Sequence, residues 1–336
     1  MKTEGETPTT ILPFSHPGYS RRRVLGLFAG TTGAGLMAAM GMGATSAVAA
    51  NSTARWRGLA LGGQASMVLV HEDGTKAKAG LDKAVAELKR LEQIFSVYNP
   101  KSAVSRLNRD GVLVDPPMEL VALLSRAQSL HQATAGIFDI TVQPLWERAN
   151  DPGSRLSEKA SIKALIGQEH ISFDSHKIEL GKGQRITLNG IAQGAITDHL
   201  VQTLKQEGYG DILLNTGEIR ALGRSPDGDK WKVSIGDKDG PRISLNQMAM
   251  ATSAHAAHGV HLFNPRSGQQ GSRFETVTVL ASNATLADGL STALSVTPEN
   301  DWAEIIANFE KGTLYTFAKR LDGSRFSSAN WREVSL

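Results

Sequence analysis

The sequence predicts an α+β fold, on three observations. Apolar residues recur at spacings of three and four in some segments and cluster as short β-type runs in others. The two kinds of segment are mixed without a regular βαβ period, which disfavours a doubly wound parallel sheet. The Pro/Gly-rich stretches at Asp151 to Gly153 and Pro226 to Gly228 are loops too short to separate domains.

The elements follow in order. Leu81, Val85, Leu88, Leu91 and Phe95 line one face of a helix from Lys76 to Ile94. Leu120, Leu123, Leu124, Ala127 and Leu130 do the same from Pro116 to Ala133, and Gly136 is placed to end that helix. Short strands are expected at Ile171 to Phe173, Lys177 to Leu180 and Arg185 to Leu188. A helix runs from Gly194 to Gln206 and stops at Gly208. Strands are expected at Asp211 to Leu214, Trp231 to Ile235, Arg242 to Ala251 and Glu275 to Ala281, with helices at Leu286 to Val296 and Asp301 to Phe309.

The first 49 residues read differently. Ser20-Arg21-Arg22-Arg23-Val24-Leu25 opens a stretch without Asp, Glu, Lys or Arg until Arg55. A charged region before an apolar one is a signal peptide pattern. Paired arginines before a segment diluted by Gly26, Gly30, Gly33, Gly35, Gly41 and Gly43 point to twin-arginine export and the Tat translocase. Ala47-Val48-Ala49 supplies a cleavage site, so residues 1 to 49 are the expected signal, residues 50 to 336 the working domain and the periplasm its location. The competing reading is a membrane anchor from Val24 to Ala50, for which the glycines make a poor span.

Removing that segment takes away Lys2, Arg21, Arg22 and Arg23 with Glu4 and Glu6, so the formal charge falls from +3 to +1. A chain this near neutrality, without a Lys/Arg cluster, offers no footprint for nucleic acid. With no cysteine there is no disulfide, no thiolate metal site and no Cys nucleophile.

Four constellations could carry chemistry. Asp288 and Thr292 lie one helical turn apart, and their hard oxygens suit Mg²⁺ better than zinc. The same pair is also explained as a helix-start acid favoured by the dipole beside an ordinary helical threonine. His255, His258 and His261 are spaced by three, but no His-Glu-x-x-His occurs and Gly259 interrupts them, which argues against zinc. His261 heads a strand-to-turn element that would expose its imidazole near Arg266, a possible phosphate ligand. Asn189 to Gly194 joins a strand to a helix, and reads equally as a packing turn or as a place where backbone N–H groups meet an anion. No G-x-S-x-G elbow is present.

Taken in order, Ser96 to Asn108 (SVYNPKSAVSRLN), Gly136 to Leu145 (GIFDITVQPL), Asn189 to Gly194 (NGIAQG), Ala251 to Ser253 (ATS), His261 to Gly268 (HLFNPRSG) and Ala287 to Leu294 (ADGLSTAL) resemble the ApbE family across nearly all of residues 50 to 336. The resemblance implies a T-fold-like architecture, with helices packed on antiparallel or mixed sheets. It also implies an Mg²⁺-dependent FAD:protein FMN transferase, which moves FMN from FAD to a Thr or Ser hydroxyl of a flavoprotein and releases AMP. The export signal and Asn215 to Arg220 (NTGEIR) look most like the NosX branch, which would make the acceptor a NosR-like periplasmic or membrane-bound flavoprotein.

By position, the resemblance puts metal ligands at the carbonyl of Gly190 and the side chains of Asp288 and Thr292. It puts FAD-lining positions at Leu61, Tyr98, Ile137, Phe138, Asp139, Thr187, Gln193 and Leu262, and a catalytic histidine at His261. The chain departs from the family pattern at Leu61-Gly62-Gly63, Thr187, Gln193 and Thr216-Gly217-Glu218, all in or near the implied flavin pocket. Two other outcomes stay open: an FAD pyrophosphatase yielding FMN and AMP, and an FAD-binding carrier without turnover.

Overall fold

The computed structural model describes residues 51–150, 162–236, 240–255 and 261–336. The expected signal peptide and its anchor alternative, the Asp151 to Gly153 loop and His258 lie outside the described residues. In chain order the described elements are β1 Ser52–Ala60, β2 Gly63–His71, α1 Gly74–Phe95, α2 Ala103–Asp110, β3 Val112–Val114, α3 Met118–Ala133 and α4 Gln143–Asn150. They continue with β4 Ser172–Phe173, β5 Lys177–Glu179, α5 Ala192–Gln206, β6 Asp211–Asn215, β7 Ile219–Leu222, β8 Trp231–Ser234 and β9 Arg242–Leu245. The last are β10 Ala249–Ala254, β11 Phe274–Ala281, α6 Ala284–Ser295, α7 Trp302–Ile306, β12 Tyr315–Arg320 and β13 Arg325–Ser327.

An eight-stranded sheet in the order β1-β2-β6-β7-β10-β11-β12-β13 forms the centre, and every ladder in it is antiparallel. Its strands alternate between two cores, as the period of two requires. Met67 and Leu69 of β2 with Ile212 and Leu214 of β6 face the helices α1, α3, α5 and α6 in the larger core. Val68, Val70 and Leu213 point the other way, onto the β8–β9 ribbon with Trp231, Val233, Ile243 and Leu245. Burial on both faces explains why Met67 to Val70 reads as an unbroken apolar run instead of an alternation.

The α+β expectation is met, and most elements fall where the pattern puts them. Three differences stand out, and the first two have a physical cause in the structure. Arg185 to Leu188 belongs to no strand: the Asn108 side chain takes both the N–H and the carbonyl of Ile186, at 2.8 Å each, and Thr187 donates to the carbonyl of Ile140 at 2.7 Å. A side-chain amide thus replaces a neighbouring strand. The single strand expected from Arg242 to Ala251 is two, because Gln247 at φ 54° breaks the run; β9 stays in the ribbon while β10 enters the large sheet. The helix expected over Asp301 to Phe309 is confined to α7, Trp302–Ile306.

The sheet edges were not anticipated. β1 and β2 form a register running from Ser52↔His71 to Ala60↔Gly63. Their tight turn holds Leu61 at φ 46° and Gly62 at φ 83°, the left-handed pair that a two-residue hairpin needs. Leucine rarely adopts that conformation. Its N–H is fixed by a 2.6 Å bond to Glu92 Oε1 on α1.

Candidate functional site

Two helices build the centre of the site, and they are capped by each other. At the start of α5, the N–H of Gly194 donates to Asp288 Oδ2 at 3.0 Å, so a carboxylate from α6 sits where the α5 dipole is positive. Asp288 is therefore not an acid serving its own helix start. That start is capped by Asn283, which accepts from Leu286 N, and by Asp198 of α5, which accepts from Ala284 N at 2.9 Å and Thr285 N at 2.8 Å. The exchange is possible because the helices touch at Gly194, where a Cβ would lie 2.3 Å from the Ala284 carbonyl oxygen.

Thr292, one turn beyond Asp288, lies against Gly190: a Cβ on that glycine would be 2.9 Å from Thr292 Oγ1. The structure thus brings together all three positions expected to hold a metal. Ser253 of β10 completes the surroundings, with Oγ 2.8 Å from Ser291 Oγ and 3.5 Å from Thr292 Oγ1. Among the described residues no three His, Cys, Asp or Glu side chains form a metal cluster. The donor set here is instead carboxylate, hydroxyl and backbone carbonyl, the oxygen chemistry of Mg²⁺ or Ca²⁺.

Electrostatics point the same way. Asp288 is 3 % exposed, and burial, opposed by the Gly194 bond and aided by the charge of Asp198, pushes its carboxyl up to about 7. Glu218, in the β6–β7 loop, is also buried. Burial first and then the nearby Asp288 charge push its carboxyl well above the ordinary range, against a hydrogen bond from the Thr252 backbone. Two buried acids in one neighbourhood hold their protons or meet a cation. Glu218 carried no role in the sequence beyond a variant motif; an acid in a turn between two apolar strands was the signal that could have singled it out.

The remaining positions fall into two groups. In the first, Leu61 lies in the strained β1–β2 turn, and Gln193 Nε2 reaches the place a Cβ would take on Gly63, at 3.5 Å, and on Gly217, at 2.2 Å. Tyr98, 62 % exposed, accepts from Asn189 Nδ2 at 3.3 Å. Thr187 follows the Asn108 clamp and its Oγ1 accepts from Asn189 N at 3.3 Å. Gln193 thus brings three of the departing segments, its own, Leu61-Gly62-Gly63 and Thr216-Gly217-Glu218, together in space.

In the second group, Asp139 is buried and accepts from Thr141 N at 2.8 Å and Thr141 Oγ1 at 2.6 Å, yet burial raises its carboxyl. Ile137, Phe138 and Leu262 are buried in the larger core. Phe138 approaches Gly289, next to Asp288, where a Cβ would lie 3.5 Å from its ring. His261 is exposed at the head of the HLFNPRSG loop. Asn264 Oδ1 organises that loop by accepting from Arg266 N and Ser267 N. The Arg266 guanidinium donates to the carbonyl of Ala135, tying the loop to the GIFD segment, so part of its hydrogen-bonding capacity serves the fold instead of a phosphate. The anion-binding reading of Asn189 to Gly194 is likewise revised at Gly194, whose N–H serves Asp288.

A three-layer α+β fold with a carboxylate–hydroxyl–carbonyl site where two helices cross defines the class, and the family model confirms it: the chain belongs to the ApbE family, matched over residues 61–317. A Haemophilus influenzae FAD:protein FMN transferase is 29 % identical over 253 residues, covering 66 % of this chain and 73 % of the relative. A Vibrio cholerae FAD:protein FMN transferase is 27 % identical, covering 63 % and 71 %. Among solved structures, the apo form of the Pseudomonas stutzeri flavinyl transferase ApbE superposes with a TM-score of 0.73 at 26 % identity, covering 85 % of this chain and 98 % of that one. The Thermotoga maritima ApbE protein gives 0.74 at 25 %, covering 85 % and 100 %.

Proposed function

We propose that this chain is an FAD:protein FMN transferase, moving FMN from FAD to a Thr or Ser hydroxyl of a partner flavoprotein with release of AMP. The observation that carries the reading is the convergence of Asp288, Thr292 and Gly190 at the α5–α6 crossing in a chain of this family. Those three groups would hold Mg²⁺, which when bound neutralises charge on the pyrophosphate oxygens as the bond to AMP breaks.

The protein residues do the positioning. Leu61, Tyr98, Thr187 and Gln193 would bind the flavin nucleotide, with Tyr98 and Thr187 tied to each other through Asn189. Asp139 would join them, with the backbone at Ile137, Phe138 and Leu262, whose side chains are committed to the core. The acceptor oxygen forms a bond to the FMN phosphorus while the bond from that phosphorus to the bridging oxygen breaks, and the electron pair leaves with AMP. His261 takes the hydroxyl proton; a neutral imidazole suits that transfer near pH 7.

Residues 1–49 direct export through the twin-arginine route, and residues 50–336 act in the periplasm on an acceptor there or in the membrane. The twin-arginine pattern supports that placement, and the NTGEIR variant supports a NosR-like acceptor.

The test is incubation with FAD, Mg²⁺ and a candidate acceptor, followed by mass spectrometry of the acceptor. Wild type adds FMN, and Asp288→Ala lowers the rate on the order of 100-fold or more, beyond what outer-shell changes at metal sites usually cost. Undiminished labelling by Asp288→Ala would remove the metal assignment.

A further inference from the structure

We infer that Asp198 is a positioning residue for the cation site, holding α6 in the register that aligns Asp288 and Thr292 with Gly190. The inference rests on the cation reading above and extends it to a residue with no place in the ligand set.

Asp198 lies on α5, one and a bit turns after Gly194, and its carboxylate bonds to donors outside its own helix. Its carboxylate accepts from Ala284 N at 2.9 Å, Thr285 N at 2.8 Å, Thr285 Oγ1 at 2.7 Å and Arg220 Nη1 at 2.9 Å. Two of these donors are the first two N–H groups of α6, which have no partner within their own helix. Four residues further along α6, Asp288 returns the arrangement by accepting from Gly194 at the start of α5. Each helix therefore presents a carboxylate to the other's N-terminus.

The consequence is rotational and axial registry. A single contact at Gly194 and Ala284 would let α6 pivot about the crossing point. A second, charged contact, from Asp198 one turn further along α5 to the N–H groups of Ala284 and Thr285, opposes that pivot, and Arg220 from β7 fixes the carboxylate in turn, with both side chains 16 % exposed. Since Asp288 and Thr292 are one turn apart, a small rotation of α6 would move both oxygens away from Gly190 together. Such supporting contacts typically change metal affinity by about 10- to 100-fold.

The experiment is a Mn²⁺ titration of the purified protein followed by electron paramagnetic resonance, with and without saturating FAD, alongside thermal melts. Wild type binds Mn²⁺ and Asp288→Ala does not. Asp198→Ala weakens Mn²⁺ about 10-fold or more at temperatures well below its melt. Asp198→Asn, which keeps an acceptor oxygen but loses the charge facing Arg220, falls between Asp198→Ala and wild type and serves where Asp198→Ala does not fold. Excess Mg²⁺ restores kcat in Asp198→Asn while the Mg²⁺ concentration for half-maximal rate stays raised. A folded Asp198 variant with lowered melting temperature and unchanged Mn²⁺ affinity would overturn the inference and leave the cation reading standing. Wild-type protein that binds no Mn²⁺, or Asp288→Ala binding it as wild type does, would overturn the cation reading and this inference with it.

Discussion

Gly194 and Ala284 meet backbone to backbone: a Cβ on Gly194 would stand 2.3 Å from the carbonyl oxygen of Ala284 and 2.6 Å from its carbon. Neither atom belongs to a flexible side chain, so the overlap can be relieved only by separating α5 from α6. Gly194→Ala should therefore lower stability by about 1–3 kcal/mol. It should also weaken Mg²⁺ dependence more than FAD binding, because the separation acts on Asp288 first. Urea denaturation and Mg²⁺-dependent rates measured on the same preparation check both.

Replacing Asp288 separates function from stability. Its carboxyl is buried and destabilised as an anion. Asp288→Asn keeps the shape and an acceptor for Gly194 N–H while removing the charge, so the metal-free variant should melt at or above the wild-type temperature near pH 8. Its flavin transfer should fall by about 100-fold or more. Melting curves in EDTA and transfer rates in Mg²⁺ provide the comparison.

The pH dependence has a definite sign. The Asp288 carboxyl lies at about 7 in the folded chain against an ordinary 3.8, so the folded state keeps a proton that the unfolded state releases. The stability this contributes is fully present below about 3.8 and is lost as pH rises through about 7. Glu218, raised for the same reasons, acts in the same direction. Metal-free wild type should therefore lose stability across that window, and Asp288→Asn should show a shallower loss. Apparent Mg²⁺ affinity should rise over the same range, since the cation displaces a proton. Melting temperature against pH in EDTA reads the first effect and calorimetric Mg²⁺ titration the second.

Asn108 satisfies both backbone groups of Ile186, one residue before Thr187. Asn108→Ala leaves a buried residue's N–H and carbonyl without that partner and should cost about 1–3 kcal/mol. It should also raise the KM for FAD, because the segment bearing Thr187 and leading to Gly190 loses its anchor. Chemical denaturation and FAD titration are the measurements.

Much of this was legible in the residues, and the failures are instructive. Helical faces with strong periodicity, such as Leu81 to Phe95 and Leu120 to Leu130, coincide with α1 and α3. The β12–β13 hairpin escaped although Asp322-Gly323 is a strong turn signal. Its flanking apolar residues are few because it lies at a sheet edge. The β1–β2 hairpin escaped because Leu61 carries a left-handed conformation that leucine does not advertise. At the site, helical spacing put Asp288 and Thr292 on one face but left a metal pair and a structural pair both open, and the metal role of both, like that of Gly190, came with the family resemblance. Asp198 and Glu218 were not readable as site residues, since their partners lie 86 residues away at Ala284 for the first and at the distant Asp288 for the second. Local spacing carries no trace of such pairings.

The export reading makes its own prediction. Replacing Arg21, Arg22 and Arg23 by lysine should leave full-length precursor in the cytoplasm and remove the shorter species from the periplasm, as judged by fractionation and intact mass. Periplasmic protein in unchanged amount would exclude the twin-arginine route.

The central claim is transfer of FMN to a protein hydroxyl, and the most direct measurement counts products of one reaction: FMN attached to the acceptor, free FMN and AMP, from purified protein with FAD and Mg²⁺. The account predicts AMP and flavinylated acceptor in equal amounts, little free FMN, and neither product in EDTA. Free FMN matching AMP with an unmodified acceptor would show water as the nucleophile, and bound FAD without AMP would show a carrier; either result would contradict it.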